Sequence, residues 1–403
     1  MSAAGTPAPV LPWRGAVLLL AIAQTVVWAG LYYSFAGLLA RWEADLGWSK
    51  TELSAALTFA LFASAAAAPF VGRLIDRGHG RTVLTFGAVV GAALLVLLSM
   101  VSTQWEFMVV WVLIGCAMAT TLYEPCFAFL THHFAMEAKK PITLVSLVAG
   151  FAGTLSFPTA FAIAEWAGWR MSLIVFAAMI LLITVPLTWI ATGRVAVAMP
   201  HQPAAPLPGR SAKATDVLRG PVFWLIALAY ASVAMNHGVI ITHLMPLLAE
   251  RGLEPETVVL AASMIGPMQV AGRLAMIAAE RHVPIIWITA AAFASMAVAA
   301  LALLGTVTQP VLIVAFVVLQ GAGVGINSIT RPVVTAMLLG RANFGAISGM
   351  LGTVNLSAFA CSPLVAAWIW QLGGYQVVIT CCFVLAVIAT LAIPAASAVS
   401  RRA

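Results

Sequence analysis

GRLIDRGHGRTVLTFGAVVGAALLVLLSMV, residues 72–101, sets a charged turn directly against an apolar run. Arg73, Asp76, Arg77 and Arg81 crowd the turn, and from Thr82 to Gln104 no charged side chain follows. A membrane span needs about 20 apolar residues, because a helix rising 1.5 Å per residue must cross roughly 30 Å of hydrocarbon. The stretch therefore reads as a helix leaving the bilayer, a polar turn, and a helix re-entering it. A spanning strand is excluded, since the run is too long and lacks strict alternation.

The same rhythm fills the chain. Apolar runs of spanning length fall at 15–40, 50–75, 82–102, 105–133, 140–166, 169–193, 220–249, 256–279, 283–306, 309–339, 344–371 and 374–396. Of 403 residues, 63% are hydrophobic and 8% are charged. An average soluble domain carries about 25% charged residues, and a soluble fold of this length could not cover its surface with so few. The expectation is an all-α membrane protein with 12 transmembrane helices. The first run follows Met1 to Arg14 and has the flank of a signal peptide. With Trp28, Tyr32 and Tyr33 in it, the run is too long and too aromatic for a cleaved segment, so it is taken as a span.

Charge sets the expected orientation. With the N-terminus in the cytoplasm, the outer side holds only Arg41, Lys50, Arg170 and Arg251 among the basic residues outside spans. The remaining loop Lys and Arg then lie inside, as the positive-inside rule asks, and an even number of spans returns the C-terminus to the cytoplasm. The rule also explains the net charge of +7 better than nucleic-acid binding does. Cys116, Cys126, Cys361, Cys381 and Cys382 all fall within runs and form neither a disulfide framework nor a zinc spacing. Abundant Ala and a preference for Arg over Lys suggest a bacterial source and an inner (plasma) membrane location.

The rhythm breaks once, at 194–219, in a Pro-rich polar stretch (MPHQPAAPLPGRSAK). It reads as a cytoplasmic linker between a bundle at 1–193 and another at 220–403. The two halves echo each other at an offset of about 200 residues. Gly72-Arg73-Leu74 answers Gly272-Arg273-Leu274, and Glu124-Pro125 answers Arg331-Pro332. Pro158 answers Pro363, and Gly168-Trp169 answers Gly374-Tyr375. Two parallel six-span repeats, here two pseudo-symmetric six-helix bundles, are the architecture of major-facilitator transporters. Ser49 with Glu52 forms a capping box at the start of the second run, and Pro255 marks the start of the eighth.

Three motifs sharpen the resemblance. The turn at Gly72–Leu84 resembles the major-facilitator signature Gly-x-Leu-x-Asp-Arg-x-Gly-Arg-Arg through Gly72, Leu74, Asp76, Arg77 and Arg81, with His79 and Gly80 displaced. The signature implies a conformational latch made by Gly72, Asp76, Arg77 and Arg81. In that latch Gly72 allows close helix approach and Asp76 pairs with arginine or a helix end. The stretch KKPITLVSLVAGFAGTLSFPTAFAIAEWAGWR at 139–170 resembles the fifth helix of the monocarboxylate and oxalate/formate branch. IGPMQVAGR resembles that branch's arginine-bearing eighth helix, with Arg273 matching the arginine and Gln269 standing where an aspartate is usual. YSFAGLL resembles its first helix, with Gly37 where a lysine is usual. Drug antiporters of the superfamily usually carry Gly-Pro in the fifth helix; this chain has Phe157-Pro158. The resemblance implies a secondary transporter of small organic anions.

Charges inside spans need reasons, because each costs at least about 2.5–3.5 kcal/mol at mid-bilayer. Arg273, with no acid one turn before it, suits a two-pronged carboxylate anchor; it could instead snorkel or meet Glu280. Glu124 and Arg331 hold matching positions in two cavity helices. They could bridge the halves as a salt bridge, or Glu124 could carry a proton. His237 and His243 are candidate proton relays or simple interhelical hydrogen bonders. Tyr32, Tyr33, Tyr123, Asn236, Asn327 and Asn355 are candidate substrate contacts or helix–helix glue.

The leading expectation is a monomer that moves a small organic anion, probably excluded from none of the monocarboxylates, by alternating access. Its partners are then the substrate, the lipid bilayer and, in the coupled form, protons, with no nucleic acid, no cofactor and no metal. No Gly-x-x-x-x-Gly-Lys-Ser/Thr string occurs, so a gradient or exchange must drive it. The alternative is efflux of an amphipathic drug or a trivalent arsenical, with Cys126 as a soft ligand. A membrane enzyme or a transport-dead sensor fits poorly, lacking clustered His, Asp or Glu and a long soluble extension.

Overall fold

The computed structural model describes residues 12–134, 137–198, 220–339 and 344–401, and all its regular structure is helical. Among these residues, nine continuous helices are long and apolar enough to cross a membrane. Three of them run for 51, 59 and 54 residues, twice what one crossing takes. Each bends at glycine, at Gly78, Gly168 and Gly373–Gly374 respectively. Twelve spans result. They are α1 Trp13–Leu46, α2 Lys50–Leu74, α3 Gly80–Met100, α4 Gln104–Phe134, α5 140–167 and α6 169–198 in the first half. The second half holds α7 Pro221–Glu250, α8 Pro255–Ala279, α9 Ile285–Gly305, α10 Leu312–Leu339, α11 347–372 and α12 375–400. The expected linker lies, from residue 199 to 219, outside the described residues, as do Arg341 and Arg402.

Local sequence explains the punctuation. Gly78 turns α2 into α3 at φ 86°, a left-handed conformation that costs an L-residue about 1–2 kcal/mol. Gly168 (φ 83°, ψ 163°) and Gly374 (φ 67°, ψ −170°), which the internal repeat pairs, adopt nearly the same backbone. The expected capping box is present: Glu52 N–H donates to Ser49 Oγ at 3.2 Å, and Ser49 N–H donates to Glu52 Oε2 at 2.9 Å. Thr103 and Glu106 build the same device at the head of α4, where Pro-free sequence left the start to the cap alone.

Span α4 is broken, against the expectation of one continuous helix. Its first arm, Gln104–Thr121, stops at Leu122, whose ψ is −156°, and Tyr123–Phe134 begins anew. Pro125 supplies the cause. It has no N–H for the carbonyl of Thr121 four residues back, and its ring crowds that carbonyl. Gln24 of α1 fills the vacancy, donating from Nε2 to Thr121 O at 2.7 Å.

Each half packs as a six-helix bundle around its own buried core. One core, in the first half, centres on Phe35, Trp42, Trp111, Trp169 and Phe176. Another, in the second, centres on Phe223, Tyr230, Phe293 and Met296. Close crossings use glycine. A Cβ on Gly115 would strike the Ala60 backbone, and one on Gly272 would strike Ala322. Gly72, expected to be such a crossing, has nothing within 4 Å of a Cβ. The close approach in that turn belongs to Gly80, whose Cβ would lie 2.7 Å from Phe129.

The halves meet along α1–α7, α2–α11 and α5–α8. One end of this interface is shut, at the face opposite the chain termini. There Lys50 is 7% exposed, with Nζ 3.6 Å from Glu43 and 3.3 Å from Glu250 of the other half. The same ammonium stands 3.9 Å from the Trp370 ring. Trp370 Nε1–H donates to Glu250 at 3.0 Å, and Gln371 donates to Thr51 at 2.7 Å.

Candidate functional site

Toward the face carrying the termini the halves part, leaving a cavity of about 1160 Å³. It reaches the last turns of α10 at Met337 and the start of α5 at Ile142. Glu124 enters from α4, His237 from α7, Gln269 and Arg273 from α8, Asn327 and Arg331 from α10, and Asn355 from α11. Tyr123, Phe127 and Phe359 supply aromatic walls.

Arg273 neither snorkels nor reaches Glu280. It is 6% exposed, and it ties the halves together on the cavity wall. Its Nη1 donates to the Ser146 carbonyl of α5 at 2.9 Å, and its Nε donates to Ser328 Oγ of α10 at 3.2 Å. A guanidinium has five N–H donors, so these two bonds leave donors for an anion. No carboxylate of the described residues forms an ion pair with it.

Glu124 and Arg331 both line the cavity, but the expected salt bridge between them is not formed. The close ion pairs among the described residues all lie at the far face, on Arg41 and Lys50. Arg331 is held instead by Asn355. With that amide turned to suit its neighbours, its oxygen accepts from Arg331 Nη1 at 3.0 Å and its nitrogen donates to Tyr230 O at 3.1 Å. Glu124 opens its side chain to the cavity, placed there by the restart of α4 at Tyr123.

The remaining candidates divide. Tyr123, His237, Asn327 and Asn355 line the cavity. The His237 Nδ1 and Asn327 Oδ1 atoms are buried without a hydrogen-bond partner. Tyr33 is half-buried and packs edge-on to Phe157 at 5.8 Å. Tyr32 is buried behind the cavity, stacked on Phe359 of the other half at 5.9 Å; the wide turn at Ala29–Tyr33 sets both tyrosines. Asn236 faces away from the cavity. Its Nδ2 donates to Cys382 O at 2.9 Å and its Oδ1 accepts from Gln320 at 2.9 Å, so it is glue between α7, α10 and α12.

His243 likewise lies outside the cavity, in the far-face closure. Its Nε2 lies 2.9 Å from the Pro363 carbonyl and its Nδ1 lies 3.2 Å from Tyr375 Oη. A carbonyl only accepts, so Nε2 carries the hydrogen and Nδ1 takes one from the tyrosine. Both ring nitrogens are thus committed to holding α7 against α11 and α12, and the ring reads as a hydrogen bonder rather than a relay.

The expected latch is open in this structure. Asp76 and Arg77 are exposed, and Asp76 makes no ion pair among the described residues. Arg81 packs within its own half, its guanidinium 3.5 Å from the Trp189 ring. Gly37 sits where α1 crosses α5, and a Cβ there would lie 3.0 Å from Ala160. A lysine at that position would have to part the two helices. Cys126 is buried in the packing of the first half with Phe129 and Leu130 and does not line the cavity.

Sequence reasoning missed Lys50 because it read the residue as a loop charge. It missed Phe127 and Phe359 because lone aromatics inside apolar runs carry no pattern. The signal for Lys50 was available in its capping box, which fixes it in the first turn of α2.

Comparison with known proteins agrees with this architecture. No curated protein matches the chain. Among solved structures, a bacterial homolog of the human lysosomal transporter Spinster, in an inward-facing and unoccupied conformation, superposes with a TM-score of 0.68. It is 14% identical, and the match covers 98% of each chain, which establishes likeness of fold. The family model described as Major Facilitator Superfamily matches residues 17–309. Twelve helices in two bundles, a cavity between them and that match lead to one statement: the chain belongs to the Major Facilitator Superfamily.

Proposed function

We propose that this protein is a secondary transporter of an organic anion, working by alternating access with Arg273 as the anchor. As a member of its superfamily it is a multi-pass membrane transporter and not an enzyme. The carrying observation is a buried guanidinium on the wall between the halves, bonded only to a carbonyl and a hydroxyl. A charge kept there without a carboxylate is costly. An anionic substrate would complete it with a bidentate, charge-assisted pair.

The rest of the notion follows the geometry. The bundles of 1–193 and 220–403 rock about the cavity. Closure at the termini face brings Glu124 toward Arg331, which already acts on it across the cavity. Glu124 and His237 are the groups available to carry a proton; exchange of anions is the other energy source. The positive-inside rule puts both termini in the cytoplasm of a bacterial inner membrane, so the state described here faces inward. Latch residues Asp76, Arg77 and Arg81 then engage in the opposite state. Monocarboxylates, as in the branch the sequence resembles, are the substrates to try first, on a monomeric carrier.

The test is ligand-dependent melting of the purified protein. A ligand at 100 times its dissociation constant adds about 2.7 kcal/mol to the folded state, which a melting curve resolves. Carboxylates are expected to stabilise the wild type and to lose the effect in Arg273→Gln. If amphipathic cations or arsenite stabilise both proteins and carboxylates neither, Arg273 is structural and efflux becomes the function.

A further inference from the structure

The cavity is far too large and too aromatic for a small aliphatic acid. A three-carbon carboxylate has the bulk of about three waters, roughly 90 Å³, against about 1160 Å³ here. Tyr123 and Phe127, one turn apart on α4, present rings stacked at 4.9 Å and 13°. Phe359 of α11 stands on the other half, with the His237 ring 6.2 Å away and inclined by 30°. All three aromatic side chains are half-buried on the cavity wall. Tyr123 is also near enough to Arg273 for the two to interact electrostatically.

We propose that the substrate is an aromatic carboxylate, its anionic group on Arg273 and its ring between the Tyr123–Phe127 pair and Phe359. This rests on the organic-anion reading and narrows it. The argument is one of complementarity between charge and shape. A planar ring meets other rings in offset or edge-on contacts at centroid separations of about 4.5–7 Å. Rings are offered by both halves, so one planar substrate can touch both and favour their closing over it. Arg273 also touches both halves, through Ser146 and Ser328. Anchor and walls are then read together, and a short acid, reaching only the anchor, would leave the walls apart.

Binding of acetate, cyclohexylacetate and phenylacetate to the full-length protein in lipid nanodiscs tests this by equilibrium dialysis. All three share the carboxylate. Phenylacetate is expected to bind at least about a hundredfold tighter than acetate, from burial of its ring carbons. It is also expected to bind about three- to tenfold tighter than cyclohexylacetate, from ring–ring contact. Phe359→Leu and Tyr123→Leu keep apolar bulk, and each should cut the phenylacetate-to-cyclohexylacetate ratio by about the same factor. Melting of each variant without ligand verifies its fold. Cyclohexylacetate binding as tightly as phenylacetate, or a ratio that neither variant changes, would overturn the aromatic assignment. The rings would then serve only closure of the halves. The broader anion reading fails by a different result, when no carboxylate binds or when Arg273→Gln weakens none of them.

Discussion

Replacing Lys50 by Met tests what holds the far face shut. The Lys50 side chain is 8% exposed, while its partners Glu43 and Glu250 are 33% and 44% exposed. At an effective dielectric of about 20, a pair at this separation attracts by ~4–5 kcal/mol. Solvent around the two carboxylates reduces each to about 1 kcal/mol net. The ammonium over Trp370 adds about 0.5–1 kcal/mol. Together they favour the closed far face by about 2–3 kcal/mol, a factor of about 30–150 in the equilibrium. A closed-to-open ratio of about 100 to 1 would therefore fall to about 3 to 1 or below. Methionine keeps the stem's packing, so loss of charge is what is measured. Spin labels at Asp45 and Leu372, on opposite halves at this face, report the separation by double electron–electron resonance, with the native cysteines replaced. A second, longer distance should appear in Lys50→Met and, more weakly, in Glu250→Gln, where Glu43 remains. Unchanged distance distributions in both variants would show that the apolar contacts of α2 with α11 hold the face and that the lysine is incidental.

Two further predictions concern stability. Gln24→Leu leaves the Thr121 carbonyl, opened by Pro125, without its donor; a loss of about 1–3 kcal/mol is expected, and an unchanged melting temperature would mean that another donor takes over. Gly168→Ala forces an L-residue to φ 83°, costing about 1–2 kcal/mol. Gly72→Ala, where a Cβ meets nothing within 4 Å, should melt like the wild type. Equal melting of the two glycine variants would refute the distinction between turn and surface.

The fold was legible because a bilayer enforces it. Length, apolarity and the placing of charge fix twelve spans, and the repeat of Glu124-Pro125 in Arg331-Pro332 marks the helices that line the cavity. Glycines matched by the repeat, Gly168 and Gly374, even share a backbone conformation. Side-chain direction is less legible, because inside a span every face of a helix is apolar and no polar period shows which one looks inward. Asn236 and His237 are neighbours in sequence, yet one bonds α10 and α12 while the other lines the cavity. His243 and His237 differ likewise: one is saturated by Pro363 and Tyr375, the other keeps a nitrogen without a partner.

Which state the molecule occupies lies beyond a sequence altogether, and this explains the two expected contacts that are missing. Glu124 with Arg331 and Asp76 with its arginines are candidates for closing the termini face. In this structure that face is open and the far face is shut by Lys50. A transporter that alternates cannot keep both sets of contacts at once, since a ligand or charge pair stabilises only the state it binds better. The exposed Glu124 and Asp76 are therefore the expected counterpart of a buried Lys50. A variant that frees Lys50 should, on this reasoning, also protect the termini face. Spin labels at Met337 and Ile142, across the mouth of the cavity, should move closer in Lys50→Met as the far-face labels separate. If the far face opens while the mouth stays open, the two ends are not coupled through the rocking of rigid bundles, and the alternating-access mechanism fails for this chain.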